Sequence, residues 1–176
     1  MEKVRFTVAI SAYNIEEYVK RAIDSVLNQT FKNYELLVID DCSTDSTVKI
    51  IKETIEKKGR LLQTPKNSGT AAASRNIAIE NAQGEYLLFL DGDDELFSEN
   101  TLAEIDQHIG KNKYDIIYLG YENVGHTENY YRISTKENST RKARLICDES
   151  FSVSSKVWNV KFLKENSIKF KEGMYY

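Results

Sequence analysis

Residues 86–95 read YLLFLDGDDE. Five apolar or aromatic residues run straight into Asp91, Asp93, Asp94 and Glu95. The apolar run predicts a buried strand, and the acids place its end at the surface. Carboxylates this close repel one another, and each gains from protonation or from a positive partner. Packing gives no reason for such an ending, so a positive ligand is the natural expectation.

Outward from this stretch the chain alternates. Apolar runs at Phe6–Ser11, Tyr34–Asp40, Gly59–Gln63, Glu85–Asp91 and Tyr114–Leu119 predict strands. Between them, Glu16–Asn28 places Val19, Ala22, Ile23, Val26 and Leu27 at helical spacing. Ser46–Lys57 follows STDST, whose hydroxyls and Asp45 are expected to cap that helix. Thr70–Ala82 is Ala-rich and helical, and Ser98 is expected to cap a helix closed by Gly110. Alternating strand and helix predicts an α/β fold: a Rossmann-like, mostly parallel sheet with helices on both faces. Beyond Gly120 an edge strand is expected at Tyr130–Ile133 and a short helix at Trp158–Glu165.

The bulk properties bound the function. At 176 residues, with 41% hydrophobic and 29% charged content, the chain fits one globular domain. Residues 1–110 carry 12 Lys and Arg against 19 Asp and Glu, whereas residues 111–176 carry 12 against 8. The excess in the second part is either a solvated face or a surface that meets something anionic, such as an acidic acceptor or a membrane. Nothing resembles a nucleic-acid module. Cys42 and Cys147 match no metal or disulfide pattern, which suits a reducing compartment. No apolar run is long enough to span a bilayer. The expected location is the cytoplasm, with peripheral association at the inner face of a membrane open.

In open α/β sheets ligands sit outside the carboxyl ends of the strands. Those ends here are SAYN (residues 11–14), DDCSTD (40–45), NSGTAAASRN (67–76) and DGDD (91–94). Asp91 and Asp93 lie two apart and can face one point, with Gly92 between them allowing close approach of a ligand. Two hard oxygen donors suit Mg²⁺ or Mn²⁺, which fill their remaining positions with water and phosphate oxygens. An isolated Asp-x-Asp is also a common solvated turn. Asp40 or Asp41 can accept from a base N–H or a ribose hydroxyl. Tyr13 offers a stacking face, Asn67 and Gly69 read as a turn near the ligand, and Arg75 meets either a phosphate or an Asp.

Taken together and in order, VAISAYNIEEYVKRAIDSVLNQTF, YELLVIDDCSTDST, NSGTAAASRN and GEYLLFLDGDDEL resemble the family-two glycosyltransferases, inverting enzymes of the GT-A fold. The resemblance implies a nucleotide-sugar donor, most often a UDP-sugar, a divalent Mn²⁺ or Mg²⁺, and a glycan or lipid-linked acceptor. The setting it implies is cell-envelope or capsular polysaccharide synthesis. On the matching positions Ser11, Tyr13, Asn14, Asp40, Asp41, Asn67, Gly69, Arg75, Asp91 and Gly92 are expected around the donor. Tyr13 is expected to stack on the base and Asp41 to bind its polar edge. Asp93 is the first candidate metal ligand, with Asp91 and then Asp94. Residues 1–110 are expected to hold the donor and 111–176 to begin the acceptor part.

KVWNVKFLKENSIKFKEGMYY looks like the approach to the family's Glu-Asp pair, whose Asp is the usual base. That pair is not found by Tyr176, so the base is expected just after it and the chain reads as the donor part of a longer domain. Glu165 and Glu172 are acids outside the matching position. Three rival readings exist. A haloacid-dehalogenase-like phosphatase would use Asp91 and Asp93 as nucleophile and acid, but that fold normally opens with this strand. A receiver-like switch would use the IDD of β-strand two and leave NSGTAAASRN unexplained. A calcium loop at DGDDE lacks the distal Glu.

Overall fold

In the computed structural model the described residues are 3–119 and 153–173. The elements are β1 Phe6–Ala12, α1 Val19–Leu27, β2 Tyr34–Asp40, α2 Thr47–Ile55, β3 Gly59–Gln63 and α3 Ala71–Asn81. Then follow β4 Tyr86–Asp91, α4 Thr101–Ile109, β5 Ile116–Tyr118, β6 Lys156–Asn159 and α5 Val160–Glu165. The expected strands and helices are present, most of them a residue or two shorter at the ends. The strand at Tyr130–Ile133 lies outside the described residues.

One six-stranded sheet runs in the order β3-β2-β1-β4-β6-β5. β3, β2, β1 and β4 are mutually parallel, in register from Phe6 opposite Tyr34 and Tyr86. The reversal of strand order about β1 leaves a crevice at the carboxyl ends of β1, β2 and β4. Beyond β4 the sheet turns antiparallel, since β6 pairs with both β4 and β5. This corrects the helix expected over Trp158–Glu165. Trp158 and Asn159 complete a strand, and the helix begins only at Val160. Val157 is fully buried opposite Leu88 in β4, a pairing the local sequence does not announce.

The strand side chains alternate between two cores. Phe6, Val8 and Ile10 of β1 and Tyr86, Leu88 and Leu90 of β4 face α1, α2 and α4. Ala9, Leu87 and Phe89 face the other side, where α3 and α5 bring Ala78, Ile79, Val160 and Leu163. Burial of a Leu, Ile or Phe side chain contributes about 1.5–3 kcal/mol. All five side chains from Tyr86 to Leu90 are buried, which is why this apolar run sits inside the sheet. The charged end that follows is therefore carried by a strand buried on both faces.

Candidate functional site

The loops after β1 and β2 are stitched together by side chains that local spacing does not connect. Asn14, in a left-handed conformation (φ 48°), accepts from the Thr44 N–H at 2.8 Å, while its own N–H donates to Ser43 Oγ at 3.0 Å. The Ile15 N–H donates to Thr47 Oγ1 at 2.9 Å, and the Ser46 N–H donates to Glu16 Oε2 at 2.8 Å. Asn14 thus braces two loops, a structural part beside the donor role expected of it. The capping expectation holds for Asp45, whose Oδ1 accepts from the Thr47 N–H at 2.9 Å, while Ser46 occupies the N-cap of α2 without a side-chain cap bond. At the start of α4, Asn100 rather than Ser98 is the N-cap.

The two acids at the end of β2 differ. Asp41 is buried, with both oxygens engaged: Oδ1 accepts from Thr64 Oγ1 at 2.6 Å, and Oδ2 accepts from the Ser68 hydroxyl and N–H at 2.9 and 3.0 Å. Asn67 adds a bond from Nδ2 to the Asp41 carbonyl at 3.1 Å, and its Oδ1 accepts from Gly69 N–H at 2.9 Å in a turn that needs the positive φ of 72° at Gly69. Asp41 therefore ties down the loop leading into α3, which leaves little acceptor capacity for a base. Asp40 is fully buried. Its Oδ2 accepts from Ser43 N–H at 3.1 Å and Gln63 Nε2 at 3.0 Å, and its Oδ1 has no partner. A buried carboxylate oxygen without a donor is costly, and a bound ligand is one remedy. Tyr13, next along from the β1 residue in register with Asp40, is 46% exposed and presents its ring to solvent.

At the end of β4 the charges are less settled. Arg75 Nη2 donates to Asp91 Oδ1 at 2.8 Å, while its buried Nε has no partner. Thr70 Oγ1, at the N-cap of α3, is a further buried atom without one. Gly92 packs differently from the expected ligand approach. A Cβ there would meet the Ser11 carbonyl at 2.7 Å and the Ile15 side chain. Its missing side chain lets β4 close on the β1–α1 loop, which accounts for Gly92 by packing alone. Ser11 is half-buried and sits opposite Asp91.

Asp93 and Asp94 are exposed. Partial burial, then repulsion from Asp93 and Asp91, pushes the Asp94 carboxyl above its ordinary range, with Arg21 acting the other way. Arg21 is a second cation at this edge, beside Arg75. From α1 its Nη2 donates to the Asp93 carbonyl at 2.6 Å, and its Nε lies 3.9 Å from Glu95. Its spacing from Tyr18, whose ring lies 5.9 Å away, places it on a helix face, but nothing local in the sequence aims that face at residue 93. Glu165 pairs with Lys161 at 3.5 Å, and Glu172 is exposed near Asn76.

Among the described residues no group of three or more His, Cys, Asp or Glu forms a metal cage. The acids of the β4 end fit a looser arrangement. Asp94, disfavoured as an anion by partial burial and then by Asp93 and Asp91, marks a place where positive charge is welcome, and Mg²⁺ or Mn²⁺ needs only one or two carboxylates when phosphate and water complete the shell.

An α/β domain with its ligand edge at the carboxyl ends of a doubly wound sheet is the class these features define. Residues 7–167 match the model described as Glycosyl transferase family 2, and the chain belongs to that family. Over 97% of its length it is 30% identical to a poly(ribitol-phosphate) beta-N-acetylglucosaminyltransferase, TarS, of Staphylococcus aureus, of which the match covers 30%. It is 35% identical to a second enzyme of that description from S. aureus, TarP, covering 97% of this chain and 53% of the relative. The crystal structure of S. aureus TarS 1–349 in complex with UDP-GlcNAc aligns at TM-score 0.83 and 29% identity, over 97% of this chain and 49% of that one. The same fragment without that ligand in its description aligns at 0.85, over 98% and 52%. The fold is GT-A, as the resemblance implied. The chain spans about a third to a half of the length of these curated relatives. No helix among the described residues is long and apolar enough to cross a membrane.

Proposed function

We propose that this chain is the donor-binding part of an inverting glycosyltransferase that moves a sugar from a UDP-sugar to an acceptor hydroxyl in cell-envelope polymer synthesis. The observation that carries the reading is the fully buried Asp40, whose Oδ1 lacks a donor, at a sheet edge where Tyr13, one residue past its register partner Ala12, is exposed. On this reading a uracil stacks its face on Tyr13 and, reaching past the turn at Ser43, donates its N–H to Asp40. This moves the base-reading role from Asp41, whose oxygens are engaged, to Asp40. The TarS fragment described in complex with UDP-GlcNAc supports the same donor class, and that relative's name supports a polyol-phosphate acceptor.

Toward the diphosphate the chain offers Arg75, with one N–H free, and the first turn of α3, whose N–H groups open toward the carboxyl edge. Asp91 and Asp93 would hold a divalent cation, and Mn²⁺ or Mg²⁺ there supplies positive charge against that developing on the leaving diphosphate. The Arg21 bond to the Asp93 carbonyl fixes the turn that presents Asp93. Residues 1–110 serve the donor, and the more basic stretch 111–176 begins the acceptor side, at the inner face of a membrane where the acceptor is lipid-linked. The acceptor oxygen bonds to the anomeric carbon from the face opposite the diphosphate as the bond to the diphosphate breaks, so the centre inverts, UDP leaves, and the hydroxyl proton passes to a general base.

Calorimetry tests this directly. UDP binds in the presence of Mn²⁺ and only weakly in EDTA, and Asp40→Ala weakens UDP far more than it weakens pyrophosphate. Equal UDP affinity with and without metal removes the metal assignment. Equal losses for UDP and pyrophosphate remove Asp40 as the base reader.

A further inference from the structure

Arg75 is held from two sides. Its Nη2 donates to Asp91 Oδ1 at 2.8 Å, and its guanidinium carbon stands 5.7 Å from the centre of the Phe170 ring. Phe170 belongs to the extended stretch that follows α5, far away in sequence. The neighbouring Asn76 fastens that stretch to α3. Asn76 Oδ1 accepts from the Phe170 N–H at 2.8 Å, and Asn76 Nδ2 donates to the Phe170 carbonyl at 2.9 Å. An amide that satisfies both backbone groups of one residue copies a strand pairing, and so fixes Phe170 in position and in angle. The ring also packs edge-on against Phe89, with centroids 5.6 Å apart and planes at 87°. Phe89 and Asp91 lie two apart on β4 and point to the same face. One aromatic side chain therefore touches the strand that carries Asp91 and the cation that neutralises it.

We propose that Phe170, pinned by Asn76, is a positioning residue that keeps Arg75 on Asp91, so that seating of the 168–172 stretch sets the charge of the acid pair. This rests on the donor-binding reading above for its consequence, though not for the positioning itself. In the free protein Arg75 competes with any cation for Asp91. When a diphosphate arrives at the carboxyl edge, the guanidinium with its unpartnered Nε already stands there beside Asp91. Loss of the aromatic support lets the guanidinium wander. The acid pair then gains negative charge and the diphosphate loses its preset partner. The two consequences have opposite signs, which a general weakening of the fold cannot produce.

The test uses the full chain with Phe170→Leu, Phe170→Tyr and, as a second route that leaves the core ring in place, Asn76→Ser. The first readout needs no ligand: the Nε–H resonance of Arg75 and its exchange with water. Phe170→Leu and Asn76→Ser speed that exchange, and Phe170→Tyr keeps it slow. The second readout is affinity for Mn²⁺ alone and for UDP in Mn²⁺. Phe170→Leu tightens Mn²⁺ and weakens UDP, each by roughly two- to five-fold, the size of one cation–π contact. In an Arg75→Gln background it changes neither. Unchanged Arg75 exchange in both Phe170→Leu and Asn76→Ser overturns the proposal, as do affinities that fall together or shifts that persist without Arg75. Faster exchange in a protein that binds neither Mn²⁺ nor UDP supports the positioning and removes the donor reading instead.

Discussion

β2 and β4 both end in aspartates at the same edge of the same sheet, yet the two ends are built on opposite principles. At β2, Asp41 is buried and satisfied by Thr64 and Ser68. At β4, Asp93 and Asp94 stand on the surface, and Asp94 is disfavoured as an anion by its partial burial and then by its acidic neighbours. The lesson is that an acidic strand end is not one kind of object. A carboxylate surrounded by donors is part of the scaffold, and one surrounded by other carboxylates waits for charge from outside. Asp40, between the extremes, is buried like the first and short of a donor like the second.

The contrast is broken most sharply at Asp41. Asp41→Ala strands the Thr64 hydroxyl and the Ser68 N–H, while the Ser68 hydroxyl keeps the Thr70 carbonyl at 2.7 Å, so stability falls by about 3 kcal/mol. Urea unfolding measures it, and a loss below about 1 kcal/mol would place Asp41 among the functional acids instead. Asp93→Asn gives the reverse pattern. Stability stays within about 0.5 kcal/mol of the parent. UDP affinity in Mn²⁺ falls by at least the roughly 10- to 100-fold typical of losing a supporting metal partner. A variant that unfolds early with its Mn²⁺-dependent affinity intact contradicts both halves.

Cys42, directly after Asp41, sharpens the β2 side. It holds a left-handed φ of 62°, and its Sγ contacts the Thr64 carbonyl at 3.3 Å. Cys42→Gly relieves a backbone cost of roughly 1–2 kcal/mol and gives up that weak contact. The expected net gain is about 1 kcal/mol in the same urea assay. A loss of stability would show that the thiol contact outweighs the strain.

The smallest effect is a pH dependence at Asp94. Its folded pKa is raised above the ordinary value of 3.8, so the protonated form favours the fold. That contribution is complete below the unfolded value and is lost as pH rises through the folded one. Asp94→Asn carries no charge at any pH. The variant therefore melts slightly above the parent at neutral pH, and the gap closes as pH falls below about 4. A gap that persists into acid would trace the gain to packing.

The alternation of strands and helices was legible because period and length are local properties of the chain. β2 and β3 were bounded to the residue, since Tyr34–Asp40 and Gly59–Gln63 end at polar or glycine positions. The antiparallel β6 was not, because Trp158 and Asn159 become a strand only through β4 and β5, which lie far away in sequence. In the site, residue types were readable and partners were not. Nothing local tells Asp40 from Asp41, because the difference lies in Gln63, Thr64 and Ser68 arriving from β3 and its following loop. Arg21 and Phe170 were missed for the same reason, as each acts on a residue brought near only by folding.

The insertion of β6 beside β4 also has a consequence for synthesis. Leu87 and Leu88 find their partners in Trp158 and Val157. Until those residues emerge, the most apolar strand of the sheet is an unpaired edge, the kind of surface that recruits strands from other molecules. With β4 finished at Asp91 and β6 starting at Lys156, a ribosome adding about 5–20 residues per second leaves that edge bare for roughly 3–13 s. In that interval the β4 edge can pair with another chain, and β6 arrives as the cover that ends it.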